Sequence, residues 1–132
     1  MDNLFLNFAL YAATGLGLLF VGFIIFELTT KTKELQLISK GNCAAALSLG
    51  GRLFGLAFVI GSSIANSLSI VDLLIWGTVG IIAQIVALFV AEHLAIRSSI
   101  SKAIDADNKA VGLLVMFLSV SVGWVIAQCL TY

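Results

Sequence analysis

Proline is absent from the chain, histidine occurs once, cysteine twice, and only 11% of the residues are charged. Each shortage closes off a class of function. Without proline nothing forces the broken helices around which many transporters build a substrate site. A lone His93 and two cysteines with no CxxC spacing leave zinc and haem sites unsupported, and no cofactor is expected. A soluble domain carries about 25% charged residues, more than twice the share found here. What fills the space is apolar: 61% of 132 residues are hydrophobic, and the mean hydropathy is +1.13. That composition is membrane material, and the lipid bilayer is the first partner it implies.

Charge-free stretches run from Asn3 to Phe26, Gly41 to Gly51, Leu53 to Val71, Leu73 to Ala91 and Ala110 to Tyr132. About 20 residues of helix cross roughly 30 Å of hydrocarbon, so the first, fourth and fifth stretches each suffice. A separate span over Leu53 to Val71 would leave only Asp72 for the next turn and would sink Ser62, Ser63, Asn66, Ser67 and Ser69 in lipid. That polar cluster reads as the turn instead. The expected architecture is an all-α membrane protein, one domain over 1–132, with four transmembrane helices at about 4–26, 43–64, 70–91 and 110–130.

Six of the seven Lys and Arg residues fall in the two segments between these spans: Lys31, Lys33 and Lys40 in 28–42, and Arg97, Lys102 and Lys109 in 92–109. By the positive-inside rule both segments are cytoplasmic loops and both termini lie outside. Asp2 and the missing basic n-region argue against a cleaved signal peptide. Basic residues beside a membrane act first as topology determinants and headgroup contacts, with an acidic cytoplasmic partner as the alternative; nothing suggests nucleic-acid binding. Ile96, Ile100, Ala103 and Ile104 form an amphipathic stripe in the second loop, and Leu35 and Ile38 a weaker one in the first. Both read as interfacial helices resting on headgroups, with a docking surface as the alternative.

Cys43 begins the second span and Cys129 ends the fourth on the opposite side, too far apart to bridge within one chain. At an offset of 66 residues Ile38, Asn42, Ala44, Leu47, Val59 and Ile60 meet identical residues at Ile104, Asn108, Ala110, Leu113, Val125 and Ile126. Each half is an inward span, a basic amphipathic loop, and Asn-x-Ala opening an outward span. The halves therefore read as two parallel two-helix repeats. Asn42 and Asn108 are placed to cap the second and fourth spans; a ring of amides and helix N-termini favouring anions is the alternative. Asp72 is placed to cap the third span, with Trp76 as an interface anchor.

Several strings resemble a known family. Glu34-Leu-Gln-Leu-Ile38, Asn42-Cys-Ala-Ala45, Ser62-Ser63, Ser69-Ile-Val-Asp72 with Trp76-Gly77, Gln84 and Asn108-Lys-Ala110 are similar, in order and over nearly the whole chain, to the YjfL family of small bacterial inner-membrane proteins. The resemblance implies a four-helix inner-membrane protein with a domain of unknown function, often grouped with phage-shock-type envelope-stress proteins and amide-ligase-like partners. It supplies no reaction. Arg52 departs from the small or polar residue expected at its position, and Val111 replaces a second alanine.

Arg52 lies roughly 14 Å into the second span by rise alone, where insertion of an arginine costs about 2.5–3.5 kcal/mol. Something should compensate. Helical side chains lean toward their own N-terminus, which tilts Arg52 toward the ends of the spans that carry Glu27 and Glu92. A buried pair with Glu27 or Glu92 is the expectation; a water-filled path and snorkelling along Gly50, Gly51 and Gly55 are the alternatives. Gln84, at a similar depth on the third span, is placed for a hydrogen bond between helices.

Gly51-x-x-x-Gly55, Ala83-x-x-x-Ala87-x-x-x-Ala91 and Ser119-x-x-x-Gly123-x-x-x-Ala127 are thin faces that let helix backbones approach, and they point to a homo-oligomer. The functional expectation is a non-enzymatic, homo-oligomeric inner-membrane component of an envelope-stress or membrane-maintenance system, with an ion-conducting path as a variant and a cytoplasmic envelope-stress protein as a partner. A small four-helix transporter or channel for ions or small charged solutes is the alternative. Exporters of that size keep a carboxylate deep in the first helix, whereas Glu27 sits at its boundary. Glu92 and His93 are sequence neighbours and so diverge on a helix, and no nucleophile with a base at helical spacing occurs; an enzyme is not expected.

Overall fold

The computed structural model describes residues 4–29, 34–66, 69–90 and 100–130. Every regular element among them is a helix: α1 (Leu4–Thr29), α2 (Glu34–Ser39), α3 (Cys43–Asn66), α4 (Ile70–Val90), α5 (Ile100–Asp105) and α6 (Lys109–Cys129). The four long helices are each long and apolar enough to cross a membrane. Large apolar side chains such as Phe5, Phe8, Leu16, Phe54, Phe89 and Phe117 point outward. In water so much exposed apolar surface would be anomalous; in a bilayer it is the lipid-facing side.

The observed helices overrun two expected boundaries. α1 continues three residues beyond Phe26, where the Thr29 hydroxyl donates to the carbonyl of Ile25 at 2.8 Å. α3 runs to Asn66, two residues beyond the expected end at Ile64, and takes in Ser62 and Ser63 of the polar cluster read as the turn. Their hydroxyls are not stranded in lipid because they face inward: Ser63 is buried, and Ser62 donates to the Ala127 carbonyl of α6 at 2.6 Å. Ser67 of the same expected turn lies outside the described residues.

α3 is the central helix. Of its apolar window 56% is buried, against 28% for α4 and α6 and 17% for α1. Its principal partner is α6, and the two run parallel: Ala44 meets Gly112, Gly51 meets Met116, and Gly55 meets Ser119 and Gly123. Dispersion rather than water exclusion drives helix association in lipid, so close backbone approach is what holds this pair. A methyl on Gly51 would lie 2.5 Å from the Cα of Met116, and one on Gly123 would collide with the backbone of Gly55. Two of the three thin faces are therefore occupied by each other inside a single chain. The third stays open: Ala83 and Ala87 are half-buried and line a groove of about 540 Å³ with Leu118 and Val122 of α6.

The connector helices turn part of their apolar faces toward the bundle. Ile100 and Ile104 of α5 are buried against Ala44, Ala45 and Val115, with Leu37 and Ile38 of α2 packed beside them. Ile38, Ile100 and Ile104 of the two expected stripes therefore pack against the bundle's end, whereas Leu35 stays exposed. Ile96, from the second-loop stripe, lies outside the described residues.

Both connectors end on the same motif. The Gly41 amide donates to the Ile38 carbonyl and the Asn42 amide to the Leu37 carbonyl; 66 residues on, Asp107 donates to Ile104 and Asn108 to Ala103. This pair of bonds closes a helix on a residue in the left-handed region. Gly41 has φ +89° and Asp107 has φ 57°; glycine adopts that conformation freely, and aspartate is among the few other residues that tolerate it.

Candidate functional site

Ser48, Arg52 and Gly55 follow one another at i, i+4 and i+7 along α3, and so share its inner face. Arg52 is 1% exposed. Its guanidinium leans back toward the start of α3, donates from Nη2 to Oε1 of Glu34, and rests over the Phe26 ring with Cζ 5.1 Å from the centroid. Glu34, the first residue of α2, is completely buried. The expected direction of lean is observed, but the expected partner is not. Arg52 forms its ion pair with Glu34 because α2 folds back across the end of the bundle and carries a carboxylate inward; the pairing with Glu27 is corrected. Glu92 lies outside the described residues.

Glu27, in the last turn of α1, lies close enough to Glu34 for repulsion, and its Oε1 is buried without a hydrogen-bond partner. Oε2 of Glu34 is in the same condition. Ser48 sits beside Glu34 and favours its ionised form, although its hydroxyl lies outside good hydrogen-bond geometry. Burial pushes the Glu34 carboxyl above the ordinary carboxylate range, against the opposing influence of Arg52 and Ser48 and with a smaller push from Glu27. Sequence reasoning missed Glu34. The signal was present in its spacing, since Glu34, Leu37 and Ile38 share a helical face, and an acid on the apolar side of a stripe needs a partner.

Gln84 is fully buried one layer deeper. Its Nε2 donates to the Ser119 carbonyl of α6 at 2.9 Å, the expected bond between helices, and its Oε1 has no partner. Gly55 makes room for this bond, because a methyl there would strike both Gln84 Nε2 and Ser119 O.

The caps divide. Asn42 caps α3 by accepting from the Ala45 amide at 2.8 Å, and Asn108 caps α6 by accepting from Val111 at 3.3 Å. Asp72 does not cap α4. Ser69 does, accepting from the Asp72 amide at 3.3 Å, which leaves Asp72 in the first turn. The alternative of an open, anion-attracting ring is corrected at α3: Asn42 Nδ2 donates to the Ile104 carbonyl at 2.7 Å, and Asp107 accepts from the Ala44 amide at 2.9 Å. The chain's own carboxylate already occupies the position an anion would take. Cys43 and Cys129 are free and exposed.

Comparison with known proteins agrees on class and gives no reaction. A family model described as Domain of Unknown Function (DUF350) matches residues 1–130. The chain is 32% identical to the UPF0719 transmembrane protein YshE of Bacillus subtilis (strain 168) over 126 residues, covering 96% of this chain and 94% of that protein. It is 29% identical to the UPF0719 inner membrane protein YjfL of Escherichia coli (strain K12) over 132 residues, covering 100% of this chain and 98% of that one. No solved structure matches significantly.

Proposed function

Because the chain belongs to the DUF350 family and its relatives carry transmembrane and inner-membrane names, we propose that it is a non-enzymatic, multi-pass inner-membrane component that works through its packed surfaces. In this reading the termini lie outside, the α2 and α5 end faces the cytoplasm, and the two halves are parallel repeats. The segregation of Lys and Arg supports the orientation, and the parallel run of α3 and α6 with matched connector ends supports the repeat. The role in envelope stress or membrane maintenance, with a cytoplasmic partner from such a system, rests on the resemblance to the YjfL family. The open Ala83 and Ala87 face supports homo-oligomerisation.

One observation carries the preference for a scaffold over a conduit. Arg52 and Gln84, the deep polar side chains, are fully buried and bonded to Glu34 and Ser119 of the same chain instead of facing an open path. Flux in proteoliposomes tests this directly: wild type, Arg52→Ala and Gln84→Ala should all be silent under proton, cation and anion gradients. A gradient-driven flux in wild type that Arg52→Ala abolishes would replace the scaffold with a transporter or channel. The unpartnered oxygens of Glu27, Glu34 and Gln84 favour that second reading, since water can satisfy them. Orientation has native reporters. A membrane-impermeant maleimide should reach Cys129 from outside the cell and Cys43 only after permeabilisation.

A further inference from the structure

Three long helices, α1, α4 and α6, pack around α3, and α1 and α6 each also pack on α4. Between α1 and α6 one stripe of α3 stays exposed, running Phe54, Ala57, Gly61 and Ala65 at helical spacing. Three adjoining hollows of about 370 to 390 Å³ each follow it. The two against α1 share Ala12 and Ile64, and the one against α6 meets the deeper of these at Ala57 and Gly61. Their chemistry changes with depth. At the end where α3 finishes, a collar of Asn7, Tyr11, Asn66, Trp124 and Gln128 lines the groove; deeper in, Gly15, Leu19 and Ile60 line it. By helical rise, Asn7 to Leu19 spans about 18 Å and Ala57 to Asn66 about 14 Å. That is the depth of one leaflet, half of roughly 30 Å of hydrocarbon, and half the seat that a crossing helix needs. Phe54, its ring 5.1 Å from that of Phe58, stands where the floor of small residues ends.

We propose that this groove binds one phospholipid whose zwitterionic headgroup carries a primary ammonium. The acyl chains lie along Gly15, Ala57 and Gly61, and the headgroup meets the collar. Charge selects the headgroup. No Lys or Arg occurs in residues 1–30, 53–96 or 110–132, and no charged side chain lines any of the three hollows. An anionic head finds no counter-charge there. The amides of Asn66 and Gln128 suit both ends of a zwitterion, since their carbonyls accept from an ammonium and their N–H groups donate to a phosphate. Trp124 is half exposed and meets Phe58 edge-on with centroids 5.4 Å apart, which sets an amphipathic ring at headgroup depth. The groove shares no residue with the one along Ala83 and Ala87. A lipid can fill it whether the bundle is a scaffold or a conduit, and whichever way the chain is oriented.

Trp124 is a reporter inside the groove, and Trp76→Phe removes the other tryptophan. Its fluorescence is read with the full chain in phosphatidylcholine vesicles that carry the same minor fraction of either phosphatidylethanolamine or phosphatidylglycerol, brominated in the acyl chains. Bromine quenches on contact, so quenching reports which lipid stands beside Trp124. The ethanolamine lipid should be enriched there roughly fivefold over the glycerol lipid, the worth of one net hydrogen bond. Gly61→Leu fills the floor at a point where an added Cβ meets nothing within 4 Å, and should abolish the enrichment. Gly50→Leu has equally open space on α3 but lines none of the three hollows, and should keep it. The ratio of the two lipids cancels any direct change in Trp124 emission. Equal quenching by both in wild type marks an ordinary lipid-facing surface and overturns the proposal. So does an enrichment that Gly61→Leu leaves unchanged or that Gly50→Leu also removes. Quenching by neither lipid means that a second copy or another protein covers the groove, and overturns it as well.

Discussion

Replacing Arg52 by methionine removes the charge from the centre of α3 while keeping a long apolar side chain against Phe26. The cost falls on Glu34, which is wholly buried and loses its ion-pair partner. Breaking a buried pair on one side typically costs about 3–5 kcal/mol. Glu34 can limit that cost by protonating. From an ordinary carboxyl value of 4.5, neutralising it at pH 7 takes about 1.4 kcal/mol per pH unit, roughly 3 kcal/mol in all. Arg52→Met should therefore lose about 3 kcal/mol at pH 7 and less than 1 kcal/mol near pH 5, where protonation is nearly free. The double substitution Arg52→Met with Glu34→Leu removes both members of the ion pair and should recover most of the stability that Arg52→Met loses at pH 7. Unfolding in mixed micelles with increasing SDS, at both pH values, measures all of these. A single variant that loses the same stability at pH 5 as at pH 7, or a double variant worse than either single, would refute the claim that the pair governs this corner.

Gly123→Val should cost more than the usual 1–3 kcal/mol of overpacking, because its side chain meets Gly55 backbone and not a movable side chain; Gly50→Ala, with nothing within 4 Å of the added methyl, should be neutral or stabilising by up to about 1 kcal/mol, both read by the same unfolding assay. Asn42→Ala should lose about 2 kcal/mol, since it forfeits a cap and a bond to Ile104, whereas Asn108→Ala, exposed and capping alone, should lose about half as much. Glu34 binds its proton more tightly folded than unfolded, so wild-type stability should fall as pH rises above 4.5 toward the raised folded value. Glu34→Gln should flatten that dependence, as a pH series of unfolding midpoints would record.

The spans were legible because hydropathy and charge act over about 20 residues, and both loop-side starts, at Cys43 and near Lys109, fell where Asn42 and Asn108 announced them. Gln84 was legible for a similar reason: a lone amide at mid-depth must bond to a neighbouring helix. Contacts that bring short segments back onto the bundle were not. Glu34 sits in a six-residue helix inside a basic connector, and a segment that short has no hydropathy signature to say that it folds inward. Asp107 was hidden by its loop, although its place one residue before Asn108 matches Gly41 before Asn42. The thin faces were legible, but not which of them meet within one chain. Spacing shows that a helix side is narrow, and only the packing shows that Gly55 and Gly123 face each other.

The crossed bonds at the α2 and α5 end tie the two halves together. Asn42, from the first half, grips the closing carbonyl of α5; Asp107, from the second, grips the opening amide of α3. Neither hairpin can be drawn away from its twin without undoing both grips. A tug on either basic connector therefore reaches the other through protein instead of through lipid, and whatever takes hold of one loop has hold of the pair.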